Sequence, residues 1–475
     1  MILNGGLPRD RVYLVEGDPG VGKTTVALQF LLAGAAQGER GLYVTLSETR
    51  DEVLQIASSH GWSIESLAMF ELSALEQQLR IESQNTIFRA SDVELTETTR
   101  AVLEFVDRSR PDRVVFDSLS ELRLMAQSPL RYRREVLNLK QYFSGKRSTV
   151  LLLDDRTSEP GDMQLQSLAH GVLSMQQLAP DYGGDRRRIR VTKLRGASYV
   201  GGYHDFVIRH GGVQVFPRLI AAEHHVPYER SAVSSGVTAL DAMLGGGLTR
   251  GTSTLLAGPA GTGKSIIASL YATAAVRRGE KGILIVFDEL RRTTIERGDM
   301  LGLGMSEHVA AGRIIVQQVD PAELSPGELG HLLREQVEVQ GATFLVIDSL
   351  NGYMQAMPAE KHLYIQLHEL LTYFGQRGVT TVMVMAQHGV AGGSGPVEVS
   401  YIADCVLLLR YFEVGGRVHK AISVIKKRTG FHEDTIRELS LGPRGVSIGE
   451  PLVDFDGVLT TAPGFHGDRA HLGGG

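Results

Sequence analysis

Short, unbroken apolar runs alternate along this chain with longer stretches in which apolar residues return every third or fourth position. The runs within 11–16, 41–46, 112–118 and 148–154 each hold three or four consecutive Val, Leu, Tyr or Phe residues. Runs of this length, bounded by glycine or polar residues, predict strands buried on both faces. Between them, Val26, Phe30 and Ala33 predict a helix over 24–37 that Gly38 stops. Further helices are expected over 50–60 and 133–145, and polar, largely helical material over 73–108. From 171 to 215 the pattern changes to short strands separated by turns. The stretch 217–234 has little periodicity and contains Pro217 and Pro227, so it reads as a linker. The pattern then restarts, with strands within 251–257, 281–287, 343–349 and 380–386, a helix over 265–278, and hairpin-like runs at 405–411 and 421–426. Strands alternating with helices predict an α/β fold of mostly parallel sheets flanked by helices.

The restart is a repeat. Lys23 to Lys264 is an offset of 241, as is Glu48 to Glu289; Asp117 to Asp348 is 231, and Arg195 to Arg428 is 233. Order and spacing therefore predict two tandem domains, 1–222 and 223–475, related by duplication with small insertions and deletions. The second repeat has a lead-in, Gly236-Val237-Thr238-Ala239-Leu240-Asp241, without a counterpart in the first. Asn4-Gly5-Gly6-Leu7 matches Gly245-Gly246-Gly247-Leu248, so the first repeat is expected to start late, with its lead-in truncated.

Composition narrows the classes. The 475 residues, 43% hydrophobic, suffice for two or three sizeable cores. The net charge of −5 weakens a reading built on tight duplex binding, although a local basic groove stays open. Cys405 is the only cysteine, which excludes an internal disulfide and suits a cytoplasmic protein. No apolar run has the length of a membrane span, and no signal-peptide pattern opens the chain.

Two stretches carry the strongest chemistry. Gly17-Asp18-Pro19-Gly20-Val21-Gly22-Lys23-Thr24, followed by Thr25, fits G-x-x-x-x-G-K-[ST], and so does Gly258-Pro259-Ala260-Gly261-Thr262-Gly263-Lys264-Ser265. The glycines let successive backbone N–H groups turn inward on a phosphate, and the following helix adds its positive end. Lys23 and Lys264 would reach the β and γ phosphates of ATP, while Thr24 and Ser265 would ligate Mg²⁺.

Asp117 and Asp348 close apolar runs in register behind these loops. Alone, such an acid is more often a helix cap or turn former; in this setting it is expected to hold the Mg²⁺ shell. Glu48, Asp288 and Glu289 also end strands. A carboxylate near the γ-phosphate can orient or deprotonate water; the bland alternative is an acid in the first turn of a helix. Ser47-Glu48 faces one loop and Asp288-Glu289 the other, so the two sites are not expected to be equivalent. Lys193 with Arg195, and Lys426 with Arg428, place two cations on one strand face. They could stabilise a transferred phosphoryl group, across a subunit boundary as an arginine finger does, or simply keep an edge strand solvated. His170 and His388 lack neighbours at metal-ligand spacing, and Trp62 reads as packing. The run Arg186-Arg187-Arg188 fits a solvated turn better than a nucleic-acid contact.

With these residues assembled, the chain resembles a double-domain KaiC-family ATPase of the RecA-like superfamily. The more specific marks are the paired P-loops, Thr45-Leu46-Ser47-Glu48-Thr49, Phe287-Asp288-Glu289, His60-Gly61-Trp62, Lys193-Leu194-Arg195-Gly196 and the segment from Tyr401-Ile402-Ala403-Asp404 to Leu408-Leu409-Arg410-Tyr411. The resemblance implies two RecA-like domains in a two-tiered hexamer with ATP between neighbouring subunits. It implies a first domain that is mainly an ATPase and a second that acts as autokinase and autophosphatase on adjacent Ser and Thr. Cyanobacterial members form a circadian clock with KaiA and KaiB, so a KaiB-like or other signalling partner is implied; nucleic acid and membrane are not.

This sequence departs from the family's pattern. The family carries two adjacent glutamates where this chain has Ser47-Glu48 and Asp288-Glu289. Its phosphorylated Ser-Thr pair falls on Ser400-Tyr401, which keeps one acceptor, Ser400, and sets the Tyr401 hydroxyl further out. The tail 453–475 gives no strong match to a KaiA-binding segment, so a clock role does not follow. The expectation is a Mg²⁺-dependent ATPase with Ser autokinase and autophosphatase activity at Ser400, working as an oligomeric signalling or clock-like component. The rivals are a RecA-like DNA-dependent ATPase and a nucleotide-gated interaction scaffold.

Overall fold

The computed structural model describes residues 1–72, 90–155, 164–180, 183–320, 322–355, 363–386, 400–442, 445–456, 458 and 464–465. The chain divides into two compact units, Met1–Arg218 and Leu219–Gly475. Much of the helical material expected over 73–108 lies outside the described residues, which resume in the helix Ala90–Ser109.

The first unit is built on a nine-stranded sheet. From edge to edge its strands are Ala68–Glu71, Gly41–Thr45, Arg113–Asp117, Thr149–Asp154, Val12–Glu16, Gly171–Leu178, Arg186–Leu194, His204–Arg209 and Gly212–Phe216. The first six are parallel and the last three antiparallel. The apolar runs explain the parallel part. Val12 and Leu14 enter one core while Tyr13 and Val15 enter another, because successive side chains of a strand point to opposite faces. Helices must then cover both faces.

The second unit repeats this plan. Its strands follow in the same spatial order: Ile314–Gln318, Gly282–Val286, Phe344–Asp348, Thr380–Ala386, Ser253–Gly258, Cys405–Val414, Arg417–Lys427, Arg437–Gly442 and Gly445–Pro451. Leu256, Leu284 and Val286 face one core, and Leu255, Ala257, Ile283 and Ile285 the other. Both units are thus RecA-like α/β sheets flanked by helices.

Three local expectations change. The helix expected from 133 begins at Pro129, because Ser128 Oγ accepts from Arg131 N at 3.3 Å and proline suits the first helical turn. Apolar spacing could not show this, since Leu130 is exposed. The run Arg186-Arg187-Arg188 is strand rather than turn: Arg186 is buried, and Arg187 and Arg188 lie near Asp185 and Asp205. Arg195 and Arg428 lie one residue past their strands, so neither cation pair sits wholly on one strand.

The lead-in of the second unit forms the helix Thr238–Met243, and Leu240, Met243 and Leu244 are completely buried in the core that also holds Leu407 and Ile422. The first unit has a groove of about 1180 Å³ lined in part by Leu173 and Ile189, the register counterparts of those two residues.

Candidate nucleotide site

The central strands of both sheets end at the same chemistry. Val12–Glu16 runs into the first P-loop and Ser253–Gly258 into the second. Gly20 and Gly22 adopt φ of 80° and 107°; Gly261 and Gly263 adopt 78° and 103°. Side chains rarely accept such backbone. Gly22 and Gly263 precede the helices Lys23–Ala35 and Lys264–Arg277, and neither helix has a side-chain cap. The N–H groups of the first turns are left to a ligand, which is how a helix end binds phosphate. Asp18, Pro19 and Val21 complete the first loop. Thr25 turns its hydroxyl to His60 Nε2 at 3.3 Å, and Thr262 bonds the Pro259 carbonyl at 2.8 Å.

The lysines fold back over their loops. Lys23 Nζ donates to the carbonyls of Gly17 at 2.7 Å and Asp18 at 2.9 Å, and pairs with Asp155 at 2.7 Å. Burial alone would raise the Asp155 carboxyl; bonds from Lys23, Ser120 and Ser118 outweigh it and hold the group below its ordinary range. Lys264 Nζ donates to the Pro259 carbonyl at 2.7 Å, and burial pushes its ammonium down.

The strand-terminal acids lie where the sequence places them. Thr24 Oγ1 donates to Asp117 Oδ2 at 2.9 Å, and Tyr43 OH donates to the same oxygen at 2.5 Å. In the second unit the Ser265 hydroxyl acts on the Asp348 carboxyl and opposes its rise. Both acids are pushed up by burial, opposed by the hydroxyls that hydrogen-bond them. A hydroxyl beside a buried carboxylate is the donor set Mg²⁺ takes in a P-loop site, so the residues fit that ion. The peptide bonds Asp117–Ser118 and Asp348–Ser349 are both cis.

The remaining acids differ between the units. Glu48 sits just before the helix Arg50–Ser59, held by reciprocal bonds between its backbone and Thr45 Oγ1 at 2.6 and 3.0 Å. Its Oε2 is buried with no hydrogen-bond partner among the described residues. Burial first, then the charges of Asp117, Glu52 and Asp155, push its carboxyl up to about 7. In the second unit Asp288 Oδ2 accepts from Ser349 Oγ at 2.5 Å. Glu289 accepts from Arg297 Nη1 at Oε1, 2.6 Å, and from Thr294 Oγ1 at Oε2, 3.0 Å.

The four late cations are not brought to their own P-loops. Lys193 Nζ donates to the Gln166 carbonyl at 2.7 Å, and Arg195 is exposed. Lys426 Nζ donates to the carbonyls of Ser400 at 2.9 Å and Ala403 at 2.7 Å, and Arg428 to that of Tyr401 at 2.6 Å. Ser400 opens the described residues after 387–399, so His388 lies outside them. His170 Nδ1 accepts from Val12 N, and Trp62 packs beside His60. Sequence reasoning missed Tyr43, Asp155 and Arg297. Only Asp155 left a signal, as the second of two acids closing the run Leu151-Leu152-Leu153-Asp154-Asp155.

Two mostly parallel sheets with a P-loop after the central strand and a hydroxyl and an aspartate beside it define a tandem RecA-like P-loop ATPase. The sequence profile of the KaiC ATPase family matches residues 1–220 and again 233–453. The chain belongs to that family. It is 26% identical to the circadian clock oscillator protein KaiC of a Picosynechococcus strain, over 97% of this chain and 90% of that protein. It is 28% identical to KaiC of Acaryochloris marina and 25% to KaiC 1 of a Synechocystis strain, each over 97% of this chain and 89% of the relative. No helix among the described residues is long and apolar enough to cross a membrane.

Proposed function

We propose that each unit binds ATP with Mg²⁺ and hydrolyses it, and that the two sites do so differently. The observation that carries this is the Thr24–Asp117 bond at 2.9 Å directly behind the first P-loop, with Ser265 acting on Asp348 at the matching place behind the second. Thr24 with Asp117, and Ser265 with Asp348, would hold Mg²⁺, which supplies charge neutralisation between the β and γ phosphates. Lys23 and Lys264 exchange backbone carbonyls for phosphate oxygens. Glu48 takes a proton from the attacking water in the first unit, a task suited to a base poised near neutral pH. Glu289 and Asp288 hold the corresponding position in the second.

The finer reading follows the family. The chain assembles as a hexamer in the cytoplasm, with Lys193, Arg195, Lys426 and Arg428 facing a neighbour's nucleotide. Ser400, whose carbonyl is held by Lys426, is the acceptor for autophosphorylation and the site of dephosphorylation in the second unit. A KaiB-like or other signalling protein is the partner class.

One sample tests these points. Purified protein should release phosphate from ATP at the same rate with and without DNA, and mass spectrometry after long incubation should find phosphate on Ser400. Strong stimulation by DNA would replace this reading with a DNA-dependent motor. Unmodified Ser400 would remove the kinase activity and leave the ATPase.

A further inference from the structure

In the second unit both oxygens of the candidate catalytic carboxylate are occupied by the helix that follows it. Glu289 stands one residue before Leu290, the N-cap of the helix Arg291–Met300, and that helix reaches back to it from two successive turns. Thr294 Oγ1 donates to Oε2 at 3.0 Å and Arg297 Nη1 donates to Oε1 at 2.6 Å. Thr294 is buried, and Arg297 and Glu289 are about one quarter exposed, 24% and 28%. A charge-assisted bond in such a partly dry place is stronger than one on the surface.

Among the described residues, the first unit has no such arrangement. At the constant offset of 241, Thr294 corresponds to Val53 and Arg297 to Ile56. Both are apolar and pack into the core, and neither can donate a hydrogen bond. Glu48 accordingly keeps a buried oxygen without a partner among the described residues. A second feature points the same way. Arg297 has its own buried donor, Nη2, with no partner among the described residues, and its charge acts on Asp348. The guanidinium thus holds Glu289 and acts electrostatically on Asp348, with one buried donor uncommitted among the described residues.

We propose that Arg297, assisted by Thr294, is a positioning residue that latches Glu289 to its own helix and so slows hydrolysis in the second site, while the first site has no latch. The inference rests on the reading that Glu289 serves the second nucleotide. For hydrolysis the water oxygen bonds to the γ-phosphorus, the bond to the β-phosphate oxygen breaks, ADP departs, and the water proton passes to a Glu289 oxygen. That oxygen must first leave Arg297 or Thr294. A latched base keeps ATP intact for longer, which suits a site whose nucleotide serves phosphoryl transfer.

The test uses the full chain carrying Lys23→Ala, so that only the second site turns over. Arg297→Met should raise kcat about tenfold with ATP affinity unchanged, whereas Arg297→Lys should stay near the parent. Thr294→Val should give a smaller rise. Adding Glu289→Gln to Arg297→Met should remove the gain, showing that it passes through Glu289. Misfolding lowers turnover, so a rise cannot come from damage. Unchanged or lower kcat in both Arg297→Met and Thr294→Val, with ATP still bound, would overturn the latch and leave the ATPase reading standing. Failure of the Lys23→Ala parent to bind a fluorescent ATP analogue would instead overturn the reading of the second site and the latch with it.

Discussion

What a carboxylate's surroundings leave unsatisfied sets its proton affinity, and Glu48 is the clearest case here. It is half buried, near three other acids, and one oxygen has no donor among the described residues. Its carboxyl is raised to about 7, so the fraction able to accept a proton grows as pH rises through that value. With the second site silenced by Lys264→Ala, first-site kcat/KM should climb through about pH 7 and level off above it. Glu48→Gln should lower the rate about 10²-fold or more and remove that limb. The same shift has a stability side. A raised carboxyl contributes stability that is full below its unfolded value, and that contribution is lost as pH rises through about 7. Thermal melting of nucleotide-free Glu48→Gln should therefore fall less between pH 5 and 8 than that of the wild type.

At the scale of elements, the site depends on turns that permit only certain residues. Gly22 ends the first P-loop at φ 107°, and a Cβ there would strike the Ile208 side chain on the strand His204–Arg209. Gly22→Ala should abolish ATP binding at the first site, measured with a fluorescent analogue in the Lys264→Ala background, while the far-UV spectrum stays native. These turns were legible in the sequence because each lies within a few residues: glycine spacing, the following Lys-Thr or Lys-Ser, and an acid closing an apolar run. The start of the helix Pro129–Ser144 was lost because its signal is a Ser-Pro cap rather than apolar spacing. Tyr43 and Asp155 were lost for another reason. They meet Asp117 and Lys23 only after parallel strands have aligned. The cation pairs were read as strand faces, but Arg195 and Arg428 fall past the strand ends.

At the scale of the whole molecule, duplication explains both the likeness and the difference of the two units. Nine strands recur in one spatial order, and each P-loop keeps its hydroxyl–aspartate partner. Around that shared frame the repeats diverge where side chains can change without disturbing a strand. Asp155 binds Lys23 in the first unit, whereas the second has the backbone of Ala386 bonded to Asn351 at the equivalent edge. Glu48 is unlatched, whereas Glu289 is held by Arg297. The central claim is therefore one fold with two ATP sites of unequal rate. The direct measurement is phosphate release by four proteins: wild type, Lys23→Ala, Lys264→Ala and the double variant. Release should be absent in the double variant, present in both single variants, and faster when the first site is the one left intact. Turnover that survives in the double variant, or equal rates in the two single variants, would contradict the account.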